Sequence, residues 1–245
     1  MHHFFLPPTS IQGSLVTFPS EIARQIQAVL RLRAGQRVLV LDNLGSEFEV
    51  ELSEVERGGV SGSVMAQRLA GGEPPVQLAL YLCLAQREKF EWMLQKCTEV
   101  GACEFIPVIS SRSLVQERVE GKQERWERIL REAAEQSHRG RVPVLRPALR
   151  YEAALAEAAR HPMRLIPWEQ EDTLDLRTAL RPTGGITGIR PTSAAVLIGP
   201  EGGFSEAEVA AARAAGFLPI TLGPRILRME TAAVVAAALV LHELS

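Results

Sequence analysis

Apolar and polar positions alternate along the first part of the chain. Phe48, Val50 and Leu52 interleave with Glu47, Glu49 and Glu51, the pattern of a strand with one apolar face and one acidic face. Neighbouring stretches read the same way: Gly13 to Phe18 and Val38 to Leu41 as short strands, and Val60 to Leu69 as a longer one. Asp42-Asn43-Leu44-Gly45 and Gly58-Gly59 supply turns between them. One helix interrupts the series. Pro19-Ser20 opens it, and Ile22, Ile26, Val29 and Leu30 recur at helical spacing. Strands this close together predict a small barrel over residues 13–70. The Phe4-Phe5-Leu6 patch stops at Pro7-Pro8, so no signal peptide is predicted.

Ala70-Gly-Gly-Glu-Pro-Pro75 ends regular structure, and the pattern changes beyond it. A boundary there predicts two domains, 1–72 and 73–245. From Val76 onward strands and helices alternate: strand Val76–Leu84, helix Glu88–Val100, strand Phe105–Ile109, and a helix from Lys122 to Gln136. Strand Val142–Leu145, helix Glu152–Arg160, and strands Met163–Pro167 and Ala194–Ile198 continue the series. Helix Glu206–Ala215, strand Phe217–Leu222 and a C-terminal helix, Glu230 to Leu244, complete it. Such alternation predicts an α/β fold with a mostly parallel sheet covered on both faces. The last helix is apolar nearly all round from Ala232, which predicts burial within its own domain or against a partner. Its uncharged run, Ala232 to Leu241, is 10 residues long. A membrane span needs about 20.

Composition narrows the class. Of 245 residues, 46% are hydrophobic and 23% charged, which excludes long disorder and collagen-like repeats. The 27 Lys+Arg against 29 Asp+Glu give a net charge of −2, which argues against attachment to nucleic acid by bulk charge. A local patch remains open: Arg139, Arg141, Arg146 and Arg150 fall between Ser137 and Arg150 with no acid among them, and predict a phosphate contact. Cys83, Cys97 and Cys103 form no C-x-x-C pair and have no His nearby, so reduced thiols, a cytoplasmic protein and no metal site are expected.

Two loops carry the candidate chemistry. The apolar strand Ala194–Ile198 runs into Gly199-Pro-Glu-Gly-Gly203, and Ser205 with Glu208 then forms a capping box for a helix. Open α/β sheets place ligands in loops at the carboxyl ends of parallel strands. Neither G-x-x-x-x-G-K-[ST] nor G-x-G-x-x-G occurs, so the common nucleotide motifs are absent. A plain tight turn before a capped helix is the alternative at this point. The second loop, in Ile220-Thr-Leu-Gly-Pro-Arg-Ile-Leu-Arg-Met-Glu-Thr-Ala-Ala233, carries Arg225 and Arg228 in apolar surroundings. Two such loops at adjacent strand ends favour one shared pocket.

IGPEGGFSEAE followed by LGPRILRMETA resembles the cofactor loops of the RsmE-type 16S rRNA methyltransferases of the SPOUT superfamily. The likeness extends to Gln86–Ser113, to RWERILREAAEQSHRGRVP (Arg125 to Pro143) and to VLRLRAGQRV (Val29 to Val38), and so covers nearly the whole chain. Gln25, Gln36 and His138 depart from the family pattern. The resemblance implies a PUA-like N-terminal β-barrel that binds RNA, a C-terminal SPOUT α/β-knot (deep trefoil knot) domain, and a homodimer. It implies methyl transfer from S-adenosylmethionine to N3 of the uridine U1498 in 16S rRNA of the small ribosomal subunit. Carried over to this sequence, the cofactor contacts are Pro167, Trp168 and Glu169; Ile198, Gly199, Pro200, Glu201, Gly202 and Gly203; and Leu222, Gly223, Ile226, Leu227, Arg228, Met229 and Thr231.

Uracil N3 carries a proton at neutral pH, so the site must remove it or stabilise the anion. Arg228 is the candidate for stabilising charge on a uracil oxygen, and Glu201 and Glu230 are candidates for a base or for orienting that Arg. Candidate RNA contacts are Arg24, Arg31 and Arg33 in the N-terminal domain, with Arg87, Lys89, Arg112 and Arg139 in the catalytic one. Arg24 and Arg31 share a helical face if the helix reaches that far. Two other readings stay open: a SPOUT enzyme acting on ribose 2′-oxygen or on tRNA, and a non-catalytic RNA-binding ribosome-assembly factor.

Overall fold

In the N-terminal part Phe4, Val40, Phe48 and Val50 pack in one core, whereas Phe5 and Leu41 pack with Ala134 in a second, smaller one. In the computed structural model, which describes residues 1–56, 58–113, 121–180 and 191–244, the chain divides into two units. The first comprises Met1–Glu73 with Arg131–Val142, the second Pro74–Leu130 with Pro143–Ser245.

The first unit holds β1 (His3–Phe5), β2 (Ile11–Gln12), β3 (Leu15–Thr17), helix α1 (Ser20–Arg24), β4 (Arg37–Leu41), β5 (Ser46–Glu56) and β6 (Gly59–Leu69). They form a six-stranded sheet in the order β1-β4-β5-β6-β3-β2. β1 runs parallel to β4, and every other neighbouring pair is antiparallel. Phe4, Val16, Phe18, Ile26, Val40, Phe48 and Val50 are among the residues of its core. Three acids of β5 are paired: Arg37 reaches Glu49 and Glu51, and Arg68 meets the buried Glu47. Helical structure after α1 continues through Gln25–Val29 and stops, because Arg31 adopts a left-handed φ of 52°. Arg24 and Arg31 therefore do not share a helical face.

The segment 131–142 joins this unit through contacts that no local pattern reveals. Glu135 accepts a hydrogen bond from Phe5 N (3.1 Å), and Val142 N donates to the Asn43 side chain (2.7 Å). The Arg139 guanidinium, 2% exposed, pairs with Glu73 at 2.6 Å. His138 stacks on His3 with ring centroids 4.0 Å apart. Burial, with His138 beside it, holds His3 below the ordinary imidazole range.

The second unit holds β7 (Gln77–Cys83), α2 (Arg87–Val100), β8 (Glu104–Ile109), α3 (Gln123–Gln136, whose end belongs to the first unit), β9 (Val144–Leu145) and β10 (Leu149–Arg150). Then follow α4 (Tyr151–Glu157), β11 (Met163–Pro167), α5 (Leu176–Leu180), β12 (Ser193–Ile198), α6 (Glu206–Ala214), β13 (Leu218–Ile220) and α7 (Met229–Leu244). All its strand pairs are parallel, in the order β10-β8-β7-β12-β11-β13, with β9 beside β8. β7 and β12 are buried at successive residues rather than alternate ones, as strands covered on both faces are. β10 and α5 were not visible in the sequence, since two to five residues are too few to show a period.

Two of the arginines expected to face phosphate are engaged within their units. Arg141 donates to the Leu44 carbonyl (3.0 Å), and Arg146 pairs with the buried Glu104, which also receives Arg160. Burial raises the Glu104 carboxyl, but the two guanidiniums outweigh it and hold it below the ordinary range. α7 buries one stripe, including Met229, Ala233, Ala237, Val240 and Leu244. Ala238 and Leu239 on its other side are exposed, so within this chain the helix is not buried all round. Among the described residues no helix is long and apolar enough to cross a membrane, and no group of three or more His, Cys, Asp or Glu could hold a metal ion.

Candidate active site

Strands β12, β11 and β13 are consecutive and parallel, so their carboxyl ends open on the same edge of the sheet. From them lead the loops 168–175, 199–205 and 221–228. Together the loops enclose a cavity of about 840 Å³, within the range of about 300–1,000 Å³ usual for small-molecule sites.

Local chemistry holds each loop. In the first, the Glu171 carboxylate accepts from the Thr173 hydroxyl and amide, from Leu174 N and from Arg213. The Thr173 hydroxyl is the main reason that this carboxyl lies below its ordinary range. In the second, Gly203 N closes a turn on the Pro200 carbonyl (2.9 Å), and Ser205 caps α6 through the expected reciprocal box with Glu208. Glu208 does more than cap. Its second oxygen accepts from Ser111 N (3.0 Å) and the Ser111 hydroxyl (2.9 Å), which fastens the turn after β8 to this loop. The third loop is stitched to the first by Thr221 N donating to the Leu174 carbonyl at 2.9 Å.

Gly203 has a φ of 67°, and a Cβ there would lie 2.7 Å from a Glu169 carboxylate oxygen. The left-handed backbone favours glycine, and any larger residue would also displace the exposed Glu169 carboxylate.

Among the described residues, two buried polar atoms of the cavity lining have no hydrogen-bond partner: the indole Nε1 of Trp168, a donor, and Oε2 of Glu201, an acceptor. An unmade hydrogen bond at a buried group costs about 1–3 kcal/mol. Both residues line the same cavity. The other oxygen of Glu201 pairs with Lys89 at 2.5 Å. Acidic side chains (Glu169, Glu171, Asp172, Asp175) line the cavity from the first loop, and Arg225 and Arg228 line it from the third. Both arginines are exposed and form no ion pair among the described residues.

The structure brings most of the expected residues to this cavity: Pro167, Trp168, Glu169, the run Ile198 to Gly203, Leu222, Gly223 and Ile226 to Met229. Glu230 and Thr231 do not line it. Helix α7 has begun by Met229, and its twist presents Met229 and Ala232 to the cavity instead. Glu171, Asp172, Thr173 and Asp175 line it without having been anticipated; their one sequence signal was a polar run shortly after a parallel strand.

Residues 72–241 match the model of the RNA methyltransferase domain. Ribosomal RNA small subunit methyltransferase E of Bacillus subtilis is 30% identical, the match covering 99% of this chain and 97% of the relative. The chain belongs to the ribosomal RNA small subunit methyltransferase E family. The Synechocystis member is 31% identical over 97% of this chain and 76% of its own. The crystal structure of the Neisseria gonorrhoeae member, bound to S-adenosyl methionine, superposes with a TM-score of 0.86 at 31% identity, covering 98% of this chain and 96% of that one. In this member of the family, every cavity-lining residue lies inside the matched domain.

The expected RNA contacts fare differently from one another. Arg24, Arg31 and Arg33 are exposed, and Arg31 and Arg33 line a shallow concavity of about 340 Å³ in the first unit. Arg87 is paired with Glu91, which Arg125 also holds. Arg112 donates to the Gly202 carbonyl (3.2 Å), and Lys89 is the partner of Glu201. Arg139 is a correction: a guanidinium that is buried and paired with Glu73 does not face a phosphate.

Proposed function

We propose that this protein transfers a methyl group from S-adenosylmethionine to N3 of the uridine U1498 in 16S rRNA of the small ribosomal subunit. The observation that carries this reading is the cavity at the ends of β11, β12 and β13, lined by Trp168 and Glu201 and by two guanidiniums that have no ion-pair partner among the described residues. The cofactor offers hydroxyl, ammonium and carboxylate groups, both donors and acceptors, which suits these side chains. The cofactor-bound gonococcal relative supports the same assignment. The backbone of Ile198 to Gly203 and of Leu222 to Met229, with Trp168, would hold it. When bound, S-adenosylmethionine supplies an electrophilic methyl group on a sulfonium.

The protein's residues meet the remaining demands. Arg228, cationic and with no ion-pair partner among the described residues, favours negative charge on a uracil carbonyl oxygen and so eases loss of the N3 proton. Of the two candidate carboxylates only Glu201 lines the cavity, and the proton is assigned to it rather than to Glu230. The loops position the methyl group and the nucleophile in line, which removes much of the entropic barrier.

The first unit is read as a PUA-like barrel that grips RNA through Arg24, Arg31 and Arg33, and the second as a SPOUT α/β knot. The loops after β11, β12 and β13, which meet at one cavity although β11 separates the other two strands, support this reading. A homodimer is supported by the exposed apolar residues Ala238 and Leu239 of α7. The place of action is the cytoplasm, where small subunits are assembled.

Incubation with the cofactor and unmodified small subunits, followed by reverse transcription, tests the reading. A new stop at U1498 is expected, because methylation at N3 blocks base pairing. Arg228→Ala should lower turnover at saturating cofactor by about 10²–10³-fold. Absence of the stop with the wild-type protein overturns the reading, and normal turnover by the variant overturns the role of Arg228.

A further inference from the structure

Lysine in the first turn of a helix stands at the wrong end of the helix dipole, so Lys89 in α2 needs a reason from outside its own element. The structure provides one. Lys89 Nζ lies 2.5 Å from Oε1 of Glu201, 112 residues further along the chain. The next peptide is held as well, since Arg112, from the turn after β8, donates to the Gly202 carbonyl at 3.2 Å. The middle of the loop 199–205 is thus tied to two elements that do not themselves line the cavity.

We infer that Lys89 is a positioning residue of the catalytic domain, acting through Glu201, and not an RNA contact. By fixing one carboxylate oxygen, Lys89 leaves the second, Oε2, buried without a partner among the described residues, and it holds the Gly199–Gly203 backbone in the shape that receives the cofactor. A phosphate would compete with a carboxylate already at ion-pair distance, so little counterion release can come from this lysine. The inference rests on the cofactor reading above.

The test measures cofactor affinity by calorimetry, and RNA affinity across a salt series, for wild type, Lys89→Met, Lys89→Arg, Glu201→Gln and the Lys89→Met/Glu201→Gln double variant. Lys89→Met should bind cofactor roughly tenfold more weakly, with an unchanged melting temperature and an unchanged RNA salt slope. Lys89→Arg should restore most of the affinity. In the Glu201→Gln background the methionine should cost less than about twofold, because coupled residues are not additive. The inference is overturned if Lys89→Met keeps cofactor affinity, if it flattens the RNA salt slope, or if the two substitutions add. Failure of wild type itself to bind cofactor would sink the cofactor reading instead, a result separate from any of these.

Discussion

At residue 203 a single carbon atom meets two obstacles, a left-handed backbone and a carboxylate at 2.7 Å. Gly203→Ala should therefore destabilise the second unit by about 1–2 kcal/mol. It should also push Glu169 out of place, with weaker cofactor binding than the stability change alone explains. Calorimetry beside a denaturation curve separates the two effects, and a variant that matches wild type in both would show that the loop is looser than its geometry. The sequence made this glycine visible through its motif. A further reason for it, Glu169 lying over the turn, needed a loop from another strand. Lys89, Arg112 and Arg139 carry the same lesson. As letters they were free cations beside a possible RNA surface; in the fold each has a partner at least 66 residues away.

At the scale of elements, α6 depends on one carboxylate. Glu208 accepts from Ser205 N and Oγ with one oxygen and from Ser111 N and Oγ with the other. Burial is the largest single influence on this carboxyl and pushes it up, but the four hydrogen bonds outweigh burial and hold it below its ordinary value of 4.5. A carboxyl depressed in the folded state stabilises the fold above its unfolded value, and that contribution disappears as pH falls through the folded value. Glu208→Ala should cost about 2 kcal/mol near neutral pH. The gap to wild type should close as urea midpoints are followed from about pH 5 down to about pH 3. A gap that stays constant over that range would mean that Glu208 acts through packing alone. The capping box was legible in Ser205 and Glu208 because it spans a single turn. The tie to Ser111 was not, since it joins residues 97 apart.

For the whole molecule, the chain is not divided by one cut. Residues 131–142 return to the first unit, and the pair between the buried Arg139 and the half-buried Glu73 is one of their fastenings. Arg139→Met leaves the part-exposed Glu73 carboxylate without this partner, and should destabilise the first unit by about 1–3 kcal/mol. Unfolding followed by a probe in the first unit reads this out. Were Arg139 an RNA contact instead, the variant would keep its stability and lose RNA affinity with a flatter salt slope. The linker at Gly71 to Pro75 was easy to see, because glycine and proline end regular structure locally. The return of a later segment to the first unit leaves no such mark.

What this sequence determined alone was the run of strands and helices, the parallel order implied by their alternation, and the two glycine loops. Periodicity, caps and turns are set by residues within a turn or a strand of one another, so they can be read along the chain. The tertiary structure alone decided which strand ends lie side by side, and so that the acidic loop 171–175 shares the cavity while Glu230 and Thr231 turn away. It also decided which charges face solvent, because pairing depends on distances between residues that the chain keeps far apart.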